Sequence, residues 1–143
     1  MQSEVKTVLV VDDEELDRNQ MGQLLKAHGY SVLEAGTYND ALAVFARNID
    51  EISLLVADIA LPDGNGCALA IAIQKQRPEI SVLFVSGHVG AEVCKYYGLN
   101  VSDVHFLRKP FSGTALLRRV QEVLQVCAEF PPLLPRTSDP TIG

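Results

Sequence analysis

The sequence of 143 residues lacks any apolar run long enough to cross a membrane. Its longest apolar run, Cys67 to Ile73, is far shorter than the ~18 residues that a membrane span needs. Residues 1–6 show no apolar stretch of the kind that signal peptides carry. Basic residues are also outnumbered, with 12 Lys and Arg against 18 Asp and Glu, a net charge of −6. These shortages argue against a membrane span and against nucleic acid or anionic lipid as a partner of the whole chain.

Cysteine is scarce as well. The three cysteines, Cys67, Cys94 and Cys127, are odd in number and widely spaced. No Cys-x-x-Cys pair is present, so the pattern predicts neither a disulfide framework nor a zinc site. Isolated reduced thiols are typical of a cytoplasmic protein, and we expect that location.

Proline is concentrated at the end of the chain. Four of the seven prolines lie within residues 130–143, which show neither a helical nor a strand period. We therefore expect a folded domain over residues 1–129 and a disordered proline-rich tail over 130–143. The 48% apolar and 21% charged residues are typical of a soluble globular domain.

Short apolar runs alternate with helical patterns along the folded part. Runs that are apolar on both faces predict parallel strands covered by helices on both sides. We predict strands over 8–11, 31–35, 54–57, 82–85 and 104–107, and helices over 14–28, 39–47, 66–77, 90–97 and 113–128. This alternation predicts an α/β fold, a flavodoxin-like three-layer sandwich. Its doubly wound five-stranded parallel sheet has the order 2-1-3-4-5.

Polar side chains follow four of the predicted strands. They are Asp12-Asp13, Asp58, Ser86 and Lys109. Each has an ordinary structural explanation on its own, as a helix cap, a turn residue or a solvated lysine. Together they lie at the carboxyl ends of the strands, where ligands bind in such sheets.

The three carboxylates predict a bound cation. Two carboxylates ~4 Å apart repel by roughly 4 kcal/mol at an effective dielectric constant near 20. Oxygen ligands without His or Cys favour a hard ion, Mg²⁺ in preference to Ca²⁺. With the hydroxyl of Ser86 and the ammonium of Lys109 beside the metal, this edge is suited to bind a phosphoryl group.

These residues resemble a known family. Over about residues 5–128 the sequence is similar to the receiver domain of two-component response regulators. The matching motifs are Val10 to Glu14, Asp58 to Pro62 with Gly66, Ser86-Gly87, and Phe106 to Phe111.

The resemblance implies that Asp58 is the phosphoacceptor and that Mg²⁺ or Mn²⁺ is the cofactor. Asp13 would ligate the metal directly, whereas Asp12 would belong mainly to the outer coordination shell of the metal. Asp58 and the backbone carbonyl of Ala60 would complete the protein ligands. The domain would not be an enzyme, although it would assist its own phosphorylation and its slow dephosphorylation.

The resemblance also implies a switch. Ser86 would move toward the phosphoryl group, and Phe106 would turn inward behind Ser86. Lys109 would pair with the phosphoryl group and would be held in place by a cis Lys109–Pro110 peptide bond. Ala60 and His88 would tune the phosphoryl lifetime, and we expect substitutions there to change it.

Partners implied by the resemblance are a histidine kinase or histidine phosphotransfer protein as the phosphoryl donor. The output would be a downstream protein or a second copy, bound through the fourth helix, fifth strand and fifth helix. Two alternatives stay open: a docking module that works without phosphorylation, and a receiver cut from a hybrid histidine kinase. An aspartyl phosphatase or a flavin-binding flavodoxin fits poorly, because Asp12-Asp13-Glu14 lacks the Asp-x-Asp of the first and would repel the cofactor phosphate of the second.

Overall fold

The computed structural model of the chain describes residues 5–87 and 105–129, with side chains as far as residue 125. The predicted helix over 90–97 and the predicted tail over 130–143 lie outside these residues. His88 and Cys94, and the side chain of Cys127, also lie outside them.

Five strands form one parallel sheet flanked by helices. In chain order the elements are β1 (Thr7–Val11), α1 (Glu15–Ala27), β2 (Ser31–Ala35), α2 (Tyr38–Arg47), β3 (Ile52–Asp58), β4 (Ala60–Leu61), β5 (Gly64–Asn65), α3 (Gly66–Gln76), β6 (Ser81–Ser86), β7 (His105–Arg108) and α4 (Gly113–Glu129). The sheet order is β2-β1-β3-β6-β7. Since β6 and β7 are the predicted fourth and fifth strands, this confirms the predicted order 2-1-3-4-5.

One small element was absent from the prediction. Strands β4 and β5 pair antiparallel, Ala60 with Asn65 and Leu61 with Gly64, around the turn at Pro62. Strands of two residues are too short to show an alternating pattern, so the sequence did not predict them.

The core has two layers because both faces of the sheet are covered. Alternate residues of β1 point to opposite faces. Leu9 and Val11 belong to the cluster with α2 and α3, whereas Val8 and Val10 belong to the cluster with α1 and α4. All four are fully buried. The apolar runs on both faces of the strands are thereby explained.

Polar side chains cap the N-termini of three helices. Thr37, Asn65 and Ser112 each accept a hydrogen bond from the backbone N–H three residues further on, at 3.0, 2.8 and 3.0 Å. Gly29, with a φ of 95°, follows the end of α1, where the left-handed conformation favours glycine. No helix in the two described ranges is long and apolar enough to cross a membrane.

Gly66 allows α3 to begin against the end of β3. A Cβ at this position would lie 2.4 Å from the carbonyl oxygen of Asp58 and 3.0 Å from the Cα of Ile59. The Gly66 N–H donates to the Ile59 carbonyl at 2.9 Å. Only glycine permits this close approach of two backbones.

We predict that Gly66→Ala destabilises the protein by about 1–3 kcal/mol, because the backbone must move to accommodate the methyl group. Urea unfolding measures the loss. Gly87→Ala is the matched control, since no described atom lies within 4 Å of a Cβ there. Equal stabilities of the two variants would contradict the prediction.

Candidate functional site

Sheet register brings Asp12 and Asp58 together. Val11 of β1 pairs with Ala57 of β3. The next residue on each strand is an aspartate, so the two side chains leave neighbouring strands at the same edge. Both are removed from water, Asp12 with no exposed surface and Asp58 with 7%.

The next two strands add Ser86 and Lys109 at the same edge. Ser86 is the last residue of β6, is buried, and pairs with Arg108 of β7. Lys109 follows directly, and its N–H donates to the Ser86 carbonyl at 2.7 Å. The Lys109–Pro110 peptide bond is cis. The structure therefore places all the predicted strand-end residues at one edge of the sheet.

The ammonium of Lys109 lies between the two buried carboxylates. Its Nζ is 2.8 Å from Asp12 Oδ2 and 2.9 Å from Asp58 Oδ2. The other oxygen of each carboxylate accepts a backbone N–H, from Glu14 for Asp12 and from Ala60 for Asp58, both at 2.9 Å. Charge and hydrogen bonding thus hold both carboxylates in place.

Burial and pairing shift two pKa values in this group. Burial raises the pKa of Asp12 above its usual value, and the hydrogen bonds from Lys109 and from the Glu14 N–H oppose that rise. Burial by itself lowers the pKa of Lys109, but the hydrogen bonds to Asp12 and Asp58 outweigh it and raise that pKa above its usual value. Lys109 is therefore a cation at neutral pH.

The site also has the donor atoms for a metal ion. One carboxylate oxygen from each of Asp12, Asp13 and Asp58 lies within 4.8 Å of the others. Asp13 is exposed, whereas the other two are buried. Three negative charges against one ammonium leave an excess that a divalent cation offsets. An all-oxygen set fits Mg²⁺ or Mn²⁺ better than a softer metal.

The remaining predicted site residues surround this cluster. Ala60 is exposed, one residue beyond the Ile59 that follows Asp58. Phe106 is half-buried against the core layer of α2 and α3, and its carbonyl accepts a hydrogen bond from Arg119 at 2.9 Å. His88 lies outside the described residues.

Two residues of α1 that contact this site were not singled out from the sequence. Arg18 donates to the carbonyl oxygen of Asp12 at 2.9 Å and pairs with Glu34 of β2 at 3.3 Å. Asp17 lies 3.4 Å from Lys109 Nζ. Asp17 is one of two acidic residues in the first turn of α1, and nothing in the sequence separates it from Glu15.

Asp63 joins the segment after β3 to the beginning of α2. Its two carboxylate oxygens accept the N–H groups of Tyr38 and Asn39 at 2.7 and 3.1 Å. The Tyr38 hydrogen bond in particular lowers the pKa of Asp63. These bonds tie the segment after Asp58 to the first turn of α2. The segment is held at Asp63 by α2 and at Ala60 by the hydrogen bond to Asp58.

Comparison with known proteins agrees with this geometry. The family model described as "Response regulator receiver domain" matches residues 8–121. A response regulator receiver domain protein (CheY-like) from Methanospirillum hungatei has a similar structure, with a TM-score of 0.75 and 26% identity. That match covers 88% of this chain and 98% of the other.

Two curated proteins show a similar degree of identity. The sensor kinase CckA of Brucella abortus is 32% identical over 119 residues, 83% of this chain and 12% of the kinase. The aerobic respiration control protein ArcA of Escherichia coli is 31% identical over 117 residues, 82% of this chain and 48% of that protein. The chain thus matches only a part of each of these longer proteins.

We predict that Lys109→Met lowers the free energy of unfolding at pH 7 by about 3 kcal/mol, because Asp12 stays buried without its cation. Loss of Lys109 raises the pKa of Asp12 further above its unfolded value. The folded variant then binds a proton more readily than its unfolded chain, so the deficit shrinks as the pH falls toward 4.

Urea unfolding in metal-free buffer at pH 7 and pH 4.5 measures both effects. Lys75→Met is the control, since Lys75 is an exposed lysine of α3. A deficit that did not change between the two pH values would show that Asp12 is not the group left unpaired.

Proposed function

The chain belongs to the response regulator receiver domain family, and we propose that it accepts a phosphoryl group on Asp58. The donor is the phosphohistidine of a histidine kinase or of a histidine phosphotransfer protein. Phosphorylation then changes the surface that a partner protein binds.

The observation that carries this proposal is the setting of the Asp58 carboxylate. It is almost fully buried, yet it lies at the strand-end edge where polar groups converge. The Ala60 N–H holds Oδ1, and the Lys109 ammonium lies 2.9 Å from Oδ2. A carboxylate held in one orientation beside a cation is suited to act as a nucleophile toward phosphorus.

The proposed step is a phosphoryl transfer. One oxygen of Asp58 attacks the phosphorus of the phosphohistidine, the P–O bond forms as the P–N bond breaks, and the imidazole leaves. Positioning and charge stabilisation provide most of the catalysis in such reactions. Lys109 offsets part of the negative charge on the transferring group.

In this proposal, Mg²⁺ or Mn²⁺ would be held by the side chains of Asp12, Asp13 and Asp58 and by the backbone carbonyl of Ala60. The mutual approach of the three carboxylates supports that assignment. When bound, the ion supplies further positive charge beside the phosphoryl oxygens. Without it, three carboxylates and a phosphoryl dianion would face a single ammonium.

The signal arises from the new charge. Phosphorylation adds a charge near −2 and new acceptor oxygens beside Ser86 and Lys109. We propose that Ser86 donates to one of these oxygens and that Phe106 moves inward behind it. Shifting a two-state surface from 1:99 to 99:1 requires roughly 5.5 kcal/mol of differential interaction. Two parts of the predicted output surface are among the described residues. They are the predicted fifth strand, which is β7, and the predicted fifth helix, which is α4.

Ala60 and His88 are proposed to set how long the phosphoryl group persists. Ala60 is exposed, and its N–H donates to Asp58 Oδ1 at 2.9 Å, so we propose that its side chain borders the approach of water to that group. Slow loss of the phosphoryl group to water would return the domain to its resting state. The small side chain of Ala60 leaves that approach open.

The partners of the domain are proposed from its family and from the similarities to known proteins. The phosphoryl donor is a histidine kinase or a phosphotransfer protein, and the recipient of the signal is another protein or a second copy. A receiver within a hybrid histidine kinase and a separate regulator both fit the similarities found. A docking module that works without phosphorylation is the alternative that the next experiment tests.

We predict that Asp58→Asn abolishes labelling by acetyl phosphate, and binding of beryllofluoride, in the presence of Mg²⁺. The amide cannot act as the nucleophile. Mass spectrometry detects the phosphoryl adduct, and Asp50→Asn, an exposed aspartate outside the site, should label like the wild type. Labelling of Asp58→Asn would refute the phosphoacceptor, and an unlabelled wild type would favour the docking module.

We also predict that Asp13→Asn weakens Mg²⁺ binding at least about tenfold, since even outer-shell changes have effects of that size. Asp13 is exposed, so the fold should be unaffected. Isothermal titration calorimetry measures the affinity, with Asp50→Asn as the control. Unchanged affinity in Asp13→Asn would remove Asp13 from the ligand set.

A further inference from the structure

A third carboxylate faces the ammonium at the centre of the site. Asp17, in the first turn of α1, places Oδ2 3.4 Å from Lys109 Nζ. Its side chain is 45% exposed. Asp17 is neither a strand-end residue nor part of the metal cluster, so the proposed function gives it no role.

All three N–H donors of the Lys109 ammonium already have carboxylate partners in the unphosphorylated protein. An ammonium has three donors. Three carboxylates surround it, Asp12 at 2.8 Å, Asp58 at 2.9 Å and Asp17 at 3.4 Å. A phosphoryl group on Asp58 that pairs with Lys109 must therefore take a donor from one of these carboxylates.

Asp17 is the carboxylate that Lys109 can release most easily. Asp12 is fully buried, and separating it from the ammonium would leave a buried charge unpaired. Asp58 carries the phosphoryl group itself. Asp17 makes the longest contact and is half-exposed, so water replaces Lys109 as its partner at little cost.

Asp17 also lies where its charge acts on the phosphoryl group. Asp17 and Asp58 contact the same ammonium at 3.4 and 2.9 Å, so the two contacting oxygens lie no more than about 6 Å apart. Asp17 and Lys109 line a solvent-accessible groove of about 420 Å³ between α1 and the segment before α4. Solvent in this groove therefore reaches both Asp17 and Lys109.

We propose that Asp17 is a regulatory carboxylate that competes with the phosphoryl group for Lys109. It stabilises the unphosphorylated state and weakens the binding of a phosphoryl group at Asp58. This inference rests on the proposed function of the same site. Asp17 acts through Lys109, so it is a positioning residue and not a catalytic one.

The test compares Asp17→Asn with Glu15→Gln. Both variants remove one negative charge from the first turn of α1. Of these two side chains, Asp17 alone contacts Lys109 in the structure, whereas the general charge and helix-dipole effects of the two substitutions are alike. Beryllofluoride with saturating Mg²⁺ is the probe, and calorimetry gives its affinity. Unfolding midpoints of the metal-free variants show whether the fold is intact.

We expect Asp17→Asn to bind beryllofluoride about two- to fivefold more tightly than the wild type, the range that a partly exposed charge interaction gives. Glu15→Gln should bind like the wild type. The gain should shrink in a Lys109→Met background, because Asp17 then has no ammonium to compete for. A purely structural role of Asp17 would move the unfolding midpoint without this gain.

Each failure has a distinct meaning. If the wild type binds beryllofluoride and Asp17→Asn binds it equally, this inference fails and the proposed function stands. Equal gains in Asp17→Asn and Glu15→Gln would also overturn it, since the effect would be one of net charge. If the wild type binds no beryllofluoride, the proposed function fails and takes this inference with it.

Discussion

The ammonium of Lys109 between two buried carboxylates is the interaction on which the site depends. Asp12 and Asp58 leave adjacent strands at the same edge, where they would repel each other strongly without a cation between them. Lys109 contacts both at less than 3 Å and so allows them to stay close together. Its single charge does not balance three carboxylates. The remaining negative charge explains why this edge is suited to a divalent cation and, beside it, a phosphoryl group.

The surrounding scaffold serves mainly to position Asp58. The parallel register places it beside Asp12, and Gly66 lets α3 begin against the backbone carbonyl of Asp58 itself. The carboxylate of Asp63 ties the same segment to the first turn of α2. On the other side, Arg18 holds the carbonyl of Asp12. Asp58, the proposed nucleophile, therefore rests on rigid elements, which matters to that proposal because a phosphoryl transfer depends on orientation as well as charge.

Much of the fold was predictable because local pattern and global packing agree. Strands buried on both faces read as continuous apolar runs, and each predicted strand among the described residues is found within two residues of its expected ends. The pair β4–β5 was missed because two residues carry no period. Asp17 and Arg18 were missed for a different reason. Both have the ordinary appearance of charged residues on a surface helix, and their contacts depend on where α1 lies relative to β7 and β2.

The sequence by itself determined the kinds of chemical group at the site and the strands that carry them. Two aspartates follow the first strand, a third ends the central strand, a serine ends the next strand, and a lysine follows the last one. The amino-acid order does not specify how the carboxylates share the single positive charge of Lys109. Packing of α1 against the sheet edge brought Asp17 to Lys109, and burial set Asp12 apart from the exposed Asp13. These properties depend on distance and on access to water, and residues far apart in sequence acquire both only when the chain folds.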